Sequence, residues 1–193
     1  MDDDLISIIG GGSDFIKTNK MEIKIHHVFF DDEIGEPKDY RDLRNLLYTA
    51  DQNDKFIFFI NCIGGQLYTT LGIIEAMRRS DAEIHSIIEG ECMSAATLLM
   101  LSSDSIEVTD SAIIMCHSAS FGLSGNVSGV KRQADFTEKQ WKKLEQETYT
   151  GFLTPAEMSD MAKGLELYYN ADDARVRLKK WSQLKNKATK KVD

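Results

Sequence analysis

The stretch KFIFFINCIGGQLYTTLGIIEAM, residues 55–77, constrains this chain more than any other. Its opening, KFIFFINC, is a continuous apolar run of strand length, the pattern of a strand buried on both faces. Ile63-Gly64-Gly65 breaks the run, and from Gln66 onward apolar residues return at helical spacing. A strand feeding a helix through a glycine break predicts a parallel-sheet architecture, because parallel strands need a crossover helix between them.

The flanking segments repeat the theme. MEIKIHHVFF, Met21 to Phe30, reads as a strand, on which the adjacent His26 and His27 point to opposite faces and serve as structural residues. DYRDLRNLLYTA, Asp39 to Ala50, reads as a helix with Asp39 as N-cap. EIHSIIEG is a further strand, SAATLLMLSS a helix, and SIEVTDSAIIMCHS two short strands around a turn at Thr109-Asp110-Ser111. The sum is an α/β domain with a largely parallel sheet. SASFGLSGNVSG, after His117, is too rich in Gly and Ser for a helix. A long amphipathic helix follows over Val130 to Phe152, with a narrow stripe of Val130, Ala134, Phe136 or Thr137, Trp141, Leu144 and Tyr149. Thr154, Pro155 and Glu157 form a capping box for the next helix, and Asn170 caps the last one. The expected plan is a flexible arm at 1–20, one domain over 21–184 that includes the long helix, and a basic tail at 185–193.

At 193 residues the chain suits a single domain with a real core. Its net charge of −8 argues against sequence-independent nucleic-acid binding. Cys62, Cys92 and Cys116 are odd in number and lie in apolar settings, which fits a reducing compartment better than a disulfide frame. No pair has C-x-x-C spacing, so no metal site is expected. The apolar stretches are too short to span a bilayer, and no cationic leader precedes an apolar core at the start. A cytoplasmic protein without membrane contact is the expectation.

Chemistry concentrates at strand ends. GECMSAAT places Ser94, ringed by small residues, between a strand and a helix. There its hydroxyl either caps the helix or meets a base. His117 ends the strand AIIMCH, and imidazole is the side chain whose proton affinity suits a base near neutral pH. A carboxylate near residue 166 would complete a serine-type relay. Bare amides at Gly64-Gly65, and the amide of Ala95, are candidate donors to an oxyanion. Cys92 and Cys116 flank the two candidates and invite a thiol reading, but as small apolar residues they suit the core better.

As a set these motifs resemble the proteolytic subunit of Clp proteases, the ClpP-like branch of the ClpP/crotonase fold of repeated β-β-α units. INCIGGQLYTTLGIIEAM matches the family's strand, Gly-Gly and helix; GECMSAATLLMLSS matches its nucleophile segment; IIMCHSAS matches its histidine strand; GLELYYNADDARVRL matches its acidic segment. The likeness runs from about Val28 to Leu178. Cys62-Ile63 stands where the family has Ser-Pro. The resemblance implies Ser94 as nucleophile, His117 as base, Glu166 as third member (Asp160 and Asp172 remain alternatives), and Gly65 and Ala95 as the oxyanion hole. It implies substrate binding by Gly64, Gln66, Phe121, Gly122 and Leu123, with a peptide pairing between a strand at 121–125 and residues 64–67. It further implies homo-oligomeric heptameric rings stacked as a tetradecamer and interlocked by the long helix. Unfolded proteins or peptides would be the substrates, an AAA+ unfoldase the partner, and no cofactor would be needed, ATP being used only by that partner. Divergence from bacterial members points to a phage or mobile-element relative acting in a host cytoplasm. Two rival expectations are an inactive ring-forming scaffold and a crotonase-type acyl-CoA enzyme.

Overall fold

Three parallel strands, each followed by a helix, set the frame: β1 (Ile25–Phe30), α1 (Arg41–Thr49), β2 (Lys55–Cys62), α2 (Leu67–Arg79), β3 (Glu83–Met93) and α3 (Ala95–Ser102). A computed structural model describes residues 23–189, with side chains through Lys185. The arm expected at 1–20 and most of the expected tail lie outside the described side chains. Two short strands, β4 (Ser105–Val108) and β5 (Ile113–Cys116), come next. The chain continues with α4 (Val127–Tyr149), α5 (Pro155–Ala162), β6 (Leu167–Asn170) and α6 (Ala171–Thr189). The sheet order is β1-β2-β3-β5-β6, with β4 also paired to β3, and all pairs are parallel except β5 with β6. This is the mixed α/β, largely parallel arrangement the sequence predicted.

The run in β2 is buried on one face, not two. Phe56, Phe58, Ile60 and Cys62 alternate into the core, while Ile57 and Phe59 are half-buried. Phe56 and Phe58 lie in the core cluster with Leu47 of α1 and Ile73 of α2, while on the other face Phe59 stacks on Phe29 of β1 at 4.9 Å and Phe29 is 61% exposed. An unbroken apolar run has no period that shows which of its faces stays open. His26 and His27 do diverge to opposite faces, stacking on Phe56 and meeting Phe59 edge-on, respectively. β1 is shorter than predicted, starting at Ile25. The segment headed by Asp39 begins as a 3-10 turn over Pro37–Tyr40, so Asp39 lies inside that turn and does not cap α1. Pro37 presets the first turn's φ, which starts the winding earlier than a capping aspartate would.

β3 is bent where it matters. Ile60 pairs with Ile88, but Cys62 pairs with Cys92, so β3 carries the extra residues of a bulge opposite Asn61. The Asn61 carboxamide oxygen accepts the Glu91 amide at 3.0 Å, and a side chain at Gly90 would start 2.3 Å from that oxygen. Beyond the bulge β3 leaves β4 and pairs with β5 through Met93 and Met115. α3 is buried from Ala95 to Leu101 on all sides, which its apolar sequence, broken there only by Thr97, requires.

α4 starts earlier than its expected Val130, because the Asn126 side chain accepts the Gly129 amide at 2.9 Å and caps it. At 23 residues it is about 34 Å long, yet only Glu145 and Tyr149 are buried on it. Of the predicted stripe, Phe136 is 65% exposed, so the helix projects from the body and is anchored by its C-terminal end. The capping box of α5 forms as predicted, with Thr154 accepting the Glu157 amide and Glu157 accepting that of Thr154. Asn170 caps α6 by accepting the Asp173 amide at 3.0 Å. Among the described residues no helix is long and apolar enough to cross a membrane.

Candidate active site

Ser94 is the one non-glycine residue with positive φ among the described residues, at φ 53° and ψ −124°. Such a conformation costs of order 1–3 kcal/mol and persists only where its surroundings enforce it. Here the Ser94 amide donates to the Met115 carbonyl at 2.9 Å, tying the turn to β5. The Ser94 carbonyl receives both the amide and the hydroxyl of Thr97, at 3.0 and 2.6 Å. Although Ser94 occupies the N-cap position of α3, its side chain makes no capping bond. Its Oγ instead lies 2.6 Å from His117 Nε2. The hydroxyl and the imidazole that the sequence singled out therefore meet, and the capping alternative does not describe this serine.

His117 directly follows β5, and Ser94 directly follows β3, with Met93 and Met115 in register. Adjacent parallel strands thus deliver both residues to the same sheet end, where ligands bind in open parallel sheets.

The glycine pair abuts the serine. Gly64 has φ +103°, and a Cβ there would stand 2.7 Å from Ser94 Cβ, 2.8 Å from the Met93 carbonyl oxygen and 3.0 Å from the Ala95 nitrogen. Gly65, at φ +140°, would collide with the Ile34 backbone at 2.3 Å. Residues 64–66 bridge Ile34 as a short parallel pair: Ile34 N–H donates to the Gly64 carbonyl at 2.7 Å, and Gln66 N–H to the Ile34 carbonyl at 2.8 Å. Ladder alternation then turns the N–H of Gly65 away from Ile34. The Gly64 amide is directed to Cys62 Sγ at 3.3 Å, so of the two glycine amides it is Gly65's that is left for a ligand. The Ala95 amide, in the first turn of α3, is among the donors a helix leaves without an intrahelical acceptor.

These groups line a cleft of about 500 Å³, with Gly65, Gln66, Ser94, Ala95 and His117 on its wall. Ile63, Leu67, Met115 and Trp141 supply apolar surface, and Ala119 and Ser120 form the lip. A larger groove of about 960 Å³ runs beside the end of α2, α4 and α6, but no histidine and no glycine lines it. Phe121, Gly122 and Leu123 stand outside the cleft wall, and 121–125 forms no strand. A strand needs a neighbour to pair with, and the chain supplies none there among the described residues.

The three acidic candidates lie in different surroundings. Continuing the antiparallel register beyond Cys116 and Leu167 sets Glu166 opposite His117, but its exposed carboxylate accepts the Tyr168 hydroxyl at 2.8 Å. Asp160 pairs with Lys163 at 2.9 Å and Asp172 with Arg175 at 3.1 Å.

All three thiols are buried. Burial pushes the Cys116 thiol up to about 12 and holds those of Cys92 and Cys62 above their ordinary value. Thiols kept protonated this way are poor nucleophiles, which removes the cysteine alternative. Among the described residues no three His, Cys, Asp or Glu side chains cluster as a metal site requires.

Two features of the site escaped sequence reading. Thr97, three residues into the helix, and Tyr149, distant in sequence, join hydroxyls at 2.7 Å beneath Ser94. Ser118, the neighbour of His117, donates to the buried Glu145 at 2.5 Å. Only the depth of residues 145 and 149 on α4 could have hinted at this, and a narrow helical stripe does not show where a helix docks.

A family model described as Clp protease matches residues 11–174. The ATP-dependent Clp protease proteolytic subunit of Deinococcus radiodurans is 31% identical over 91 residues, covering 46% of this chain and 45% of that protein. The ATP-dependent Clp protease proteolytic subunit 1 of Prochlorococcus marinus is 30% identical over 112 residues, 56% of this chain and 57% of its own length. The chain spans about half the length of the curated relatives it matches.

Proposed function

The chain belongs to the Clp protease family, and from that premise we propose that it is a serine-type endopeptidase with Ser94 as nucleophile and His117 as general base. The observation that carries this reading is the 2.6 Å approach of Ser94 Oγ to His117 Nε2 at a strained strand-to-helix turn. With Nδ1 protonated, Nε2 accepts the Ser94 proton as Oγ bonds to the scissile carbonyl carbon. The carbonyl oxygen gains the electron pair and is met by the N–H groups of Gly65 and Ala95. Each such donor is worth roughly 3–4 kcal/mol to a tetrahedral intermediate. Collapse expels the amine, which takes the proton back from Nε2–H. Water then attacks the acyl-serine, with His117 again accepting and returning one proton, and the peptide acid leaves.

Glu166 is the third member in this scheme. Its place opposite His117 in the β5–β6 register supports the assignment, which requires the carboxylate to turn from Tyr168 to Nδ1. Gly64 and Gln66 hold one side of an extended substrate, and Phe121, Gly122 and Leu123 pair with its other side. Those backbone pairings order 121–125 upon binding and carry little side-chain information. Unfolded chains or peptides are the substrates, cut inside a chamber of stacked heptameric rings (a tetradecamer) joined through α4 and fed by an AAA+ unfoldase in the cytoplasm. The exposed apolar side chains of α4 support a role in assembly. The bond from Tyr168 to Glu166 favours one second reading, an inactive ring-forming scaffold whose acid is diverted. A crotonase-type enzyme has no use for a hydroxyl bonded to an imidazole.

A fluorophosphonate probe decides between them. Labelling of Ser94, lost in Ser94→Ala and His117→Ala, together with hydrolysis of short peptides, supports the peptidase. A folded oligomer that neither reacts nor cleaves defeats it and leaves the scaffold.

A further inference from the structure

We propose that Glu145 and Tyr149, one turn apart at the base of α4, are positioning residues that hold the two chain segments bringing Ser94 and His117 together. They are the buried residues of an otherwise projecting helix. Glu145 is 4% exposed, and its carboxylate accepts the Ser118 hydroxyl at 2.5 Å, one residue beyond His117. Tyr149 is 1% exposed, with its hydroxyl 2.7 Å from Thr97 Oγ1. Thr97 has one hydroxyl proton, which it gives to the Ser94 carbonyl at 2.6 Å, so the Tyr149 phenol is the donor of their pair. One helix end thus grips the His117 strand through Ser118 and the strained Ser94 turn through Thr97.

Stability alone does not account for a carboxylate at this depth. An apolar side chain of similar volume would fill the space without the desolvation cost a buried acid carries. Lys142, one turn earlier on α4, feels the Glu145 charge but is itself exposed and paired with Glu138 at 2.6 Å. Glu145 is therefore held for the hydrogen bond it accepts, and that bond fixes the backbone carrying the imidazole. In consequence any displacement of α4, such as a change of contacts along its exposed length, is transmitted to both members of the pair at once.

The proposal rests on the Ser94–His117 peptidase reading, so its test uses two readouts. One is kcat and KM for a short fluorogenic peptide. The other is the 15N resonance of His117 Nε2, which is assignable because the chain has four histidines. Ser118→Ala and Tyr149→Phe are expected to lower kcat about tenfold each, the size of one lost hydrogen bond, with KM within about twofold. Both should shift the His117 resonance. Glu145→Gln, which keeps an accepting oxygen, should stay within about twofold of the parent, while Glu145→Leu should not. If Glu145→Leu does not fold, Ser118→Ala set against Glu145→Gln carries the comparison. Unchanged kcat and resonance in Ser118→Ala and Tyr149→Phe overturn the proposal. A fall in kcat that only follows a fall in Tm, with the resonance unmoved, overturns it too. If the parent protein cleaves nothing but the resonance shifts in these variants, the positioning role stands and the peptidase reading fails.

Discussion

Gly64 lies so close to Ser94 that a β-carbon on the glycine would stand 2.7 Å from the β-carbon of the serine. This contact joins the break after β2 to the turn after β3 and leaves room for nothing larger than hydrogen. It brings Gly65, Ser94 and Ala95 to the wall of one cleft, and it makes the glycine pair part of the site's construction.

Gly64→Ala should therefore damage the site and the fold together. Two of the three clashes are with backbone atoms that cannot swing away, and φ +103° strains any L side chain. A loss of roughly 2–4 kcal/mol in stability is expected, with peptide turnover reduced at least ~100-fold. Urea titration alongside peptide hydrolysis checks both, and a variant of parental activity would show that the loop can open without consequence.

Ser94→Gly should separate function from stability. Glycine adopts φ 53° freely, so the variant sheds about 1–3 kcal/mol of backbone strain and gives back about 0.4–1 kcal/mol through a floppier unfolded chain. A net gain near 1 kcal/mol, or a Tm about 2–4 °C higher, should accompany complete loss of turnover. A lower Tm would mean that the turn is not strained by its serine.

Glu166→Gln tests the acid. If the carboxylate reaches His117 during turnover, its loss should cost on the order of 10⁴ in kcat, as when a relay acid is made neutral. Tyr168→Phe removes the competing donor and should leave kcat equal or higher. Equal activity in Glu166→Gln would pass the role to another group.

Acid stability should depend on Glu157. Its bidentate partner Arg177, together with the backbone and hydroxyl of Thr154, holds the carboxyl at about 2, well below the ordinary glutamate range near ~4.3. A carboxyl depressed by folding stabilises the protein above its unfolded value, and that contribution drains away as pH falls toward the folded one. The parent should lose roughly 2–3 kcal/mol between about pH 5 and pH 2 through this group, and Glu157→Gln should flatten that limb in pH-resolved denaturation.

Much of the fold was legible along the chain because helices and strands advertise themselves by local period. The capping box at Thr154, the cap at Asn170, the glycine break after β2 and the strand ends carrying Ser94 and His117 are all short-range patterns of residue type. What local pattern does not contain is the partner. Asp39 looked like a cap because aspartate favours caps, yet Pro37 began the turn sooner. The resemblance implied a strand at Phe121 to Gly125, but a segment becomes a strand only when another backbone lies alongside.

The residues themselves determined the order of elements, the small side chains around Ser94 and the glycine break after β2, since each follows from spacing within a few residues. Tertiary structure alone decided that the serine hydroxyl turns to an imidazole 23 residues away instead of capping its own helix. It also decided that Glu145 and Tyr149 dock beneath the pair and that Glu166 falls opposite His117 across the β5–β6 pair. Those choices depend on which strands become neighbours and how a bulge bends one of them, and distance in space is not written in distance along a chain.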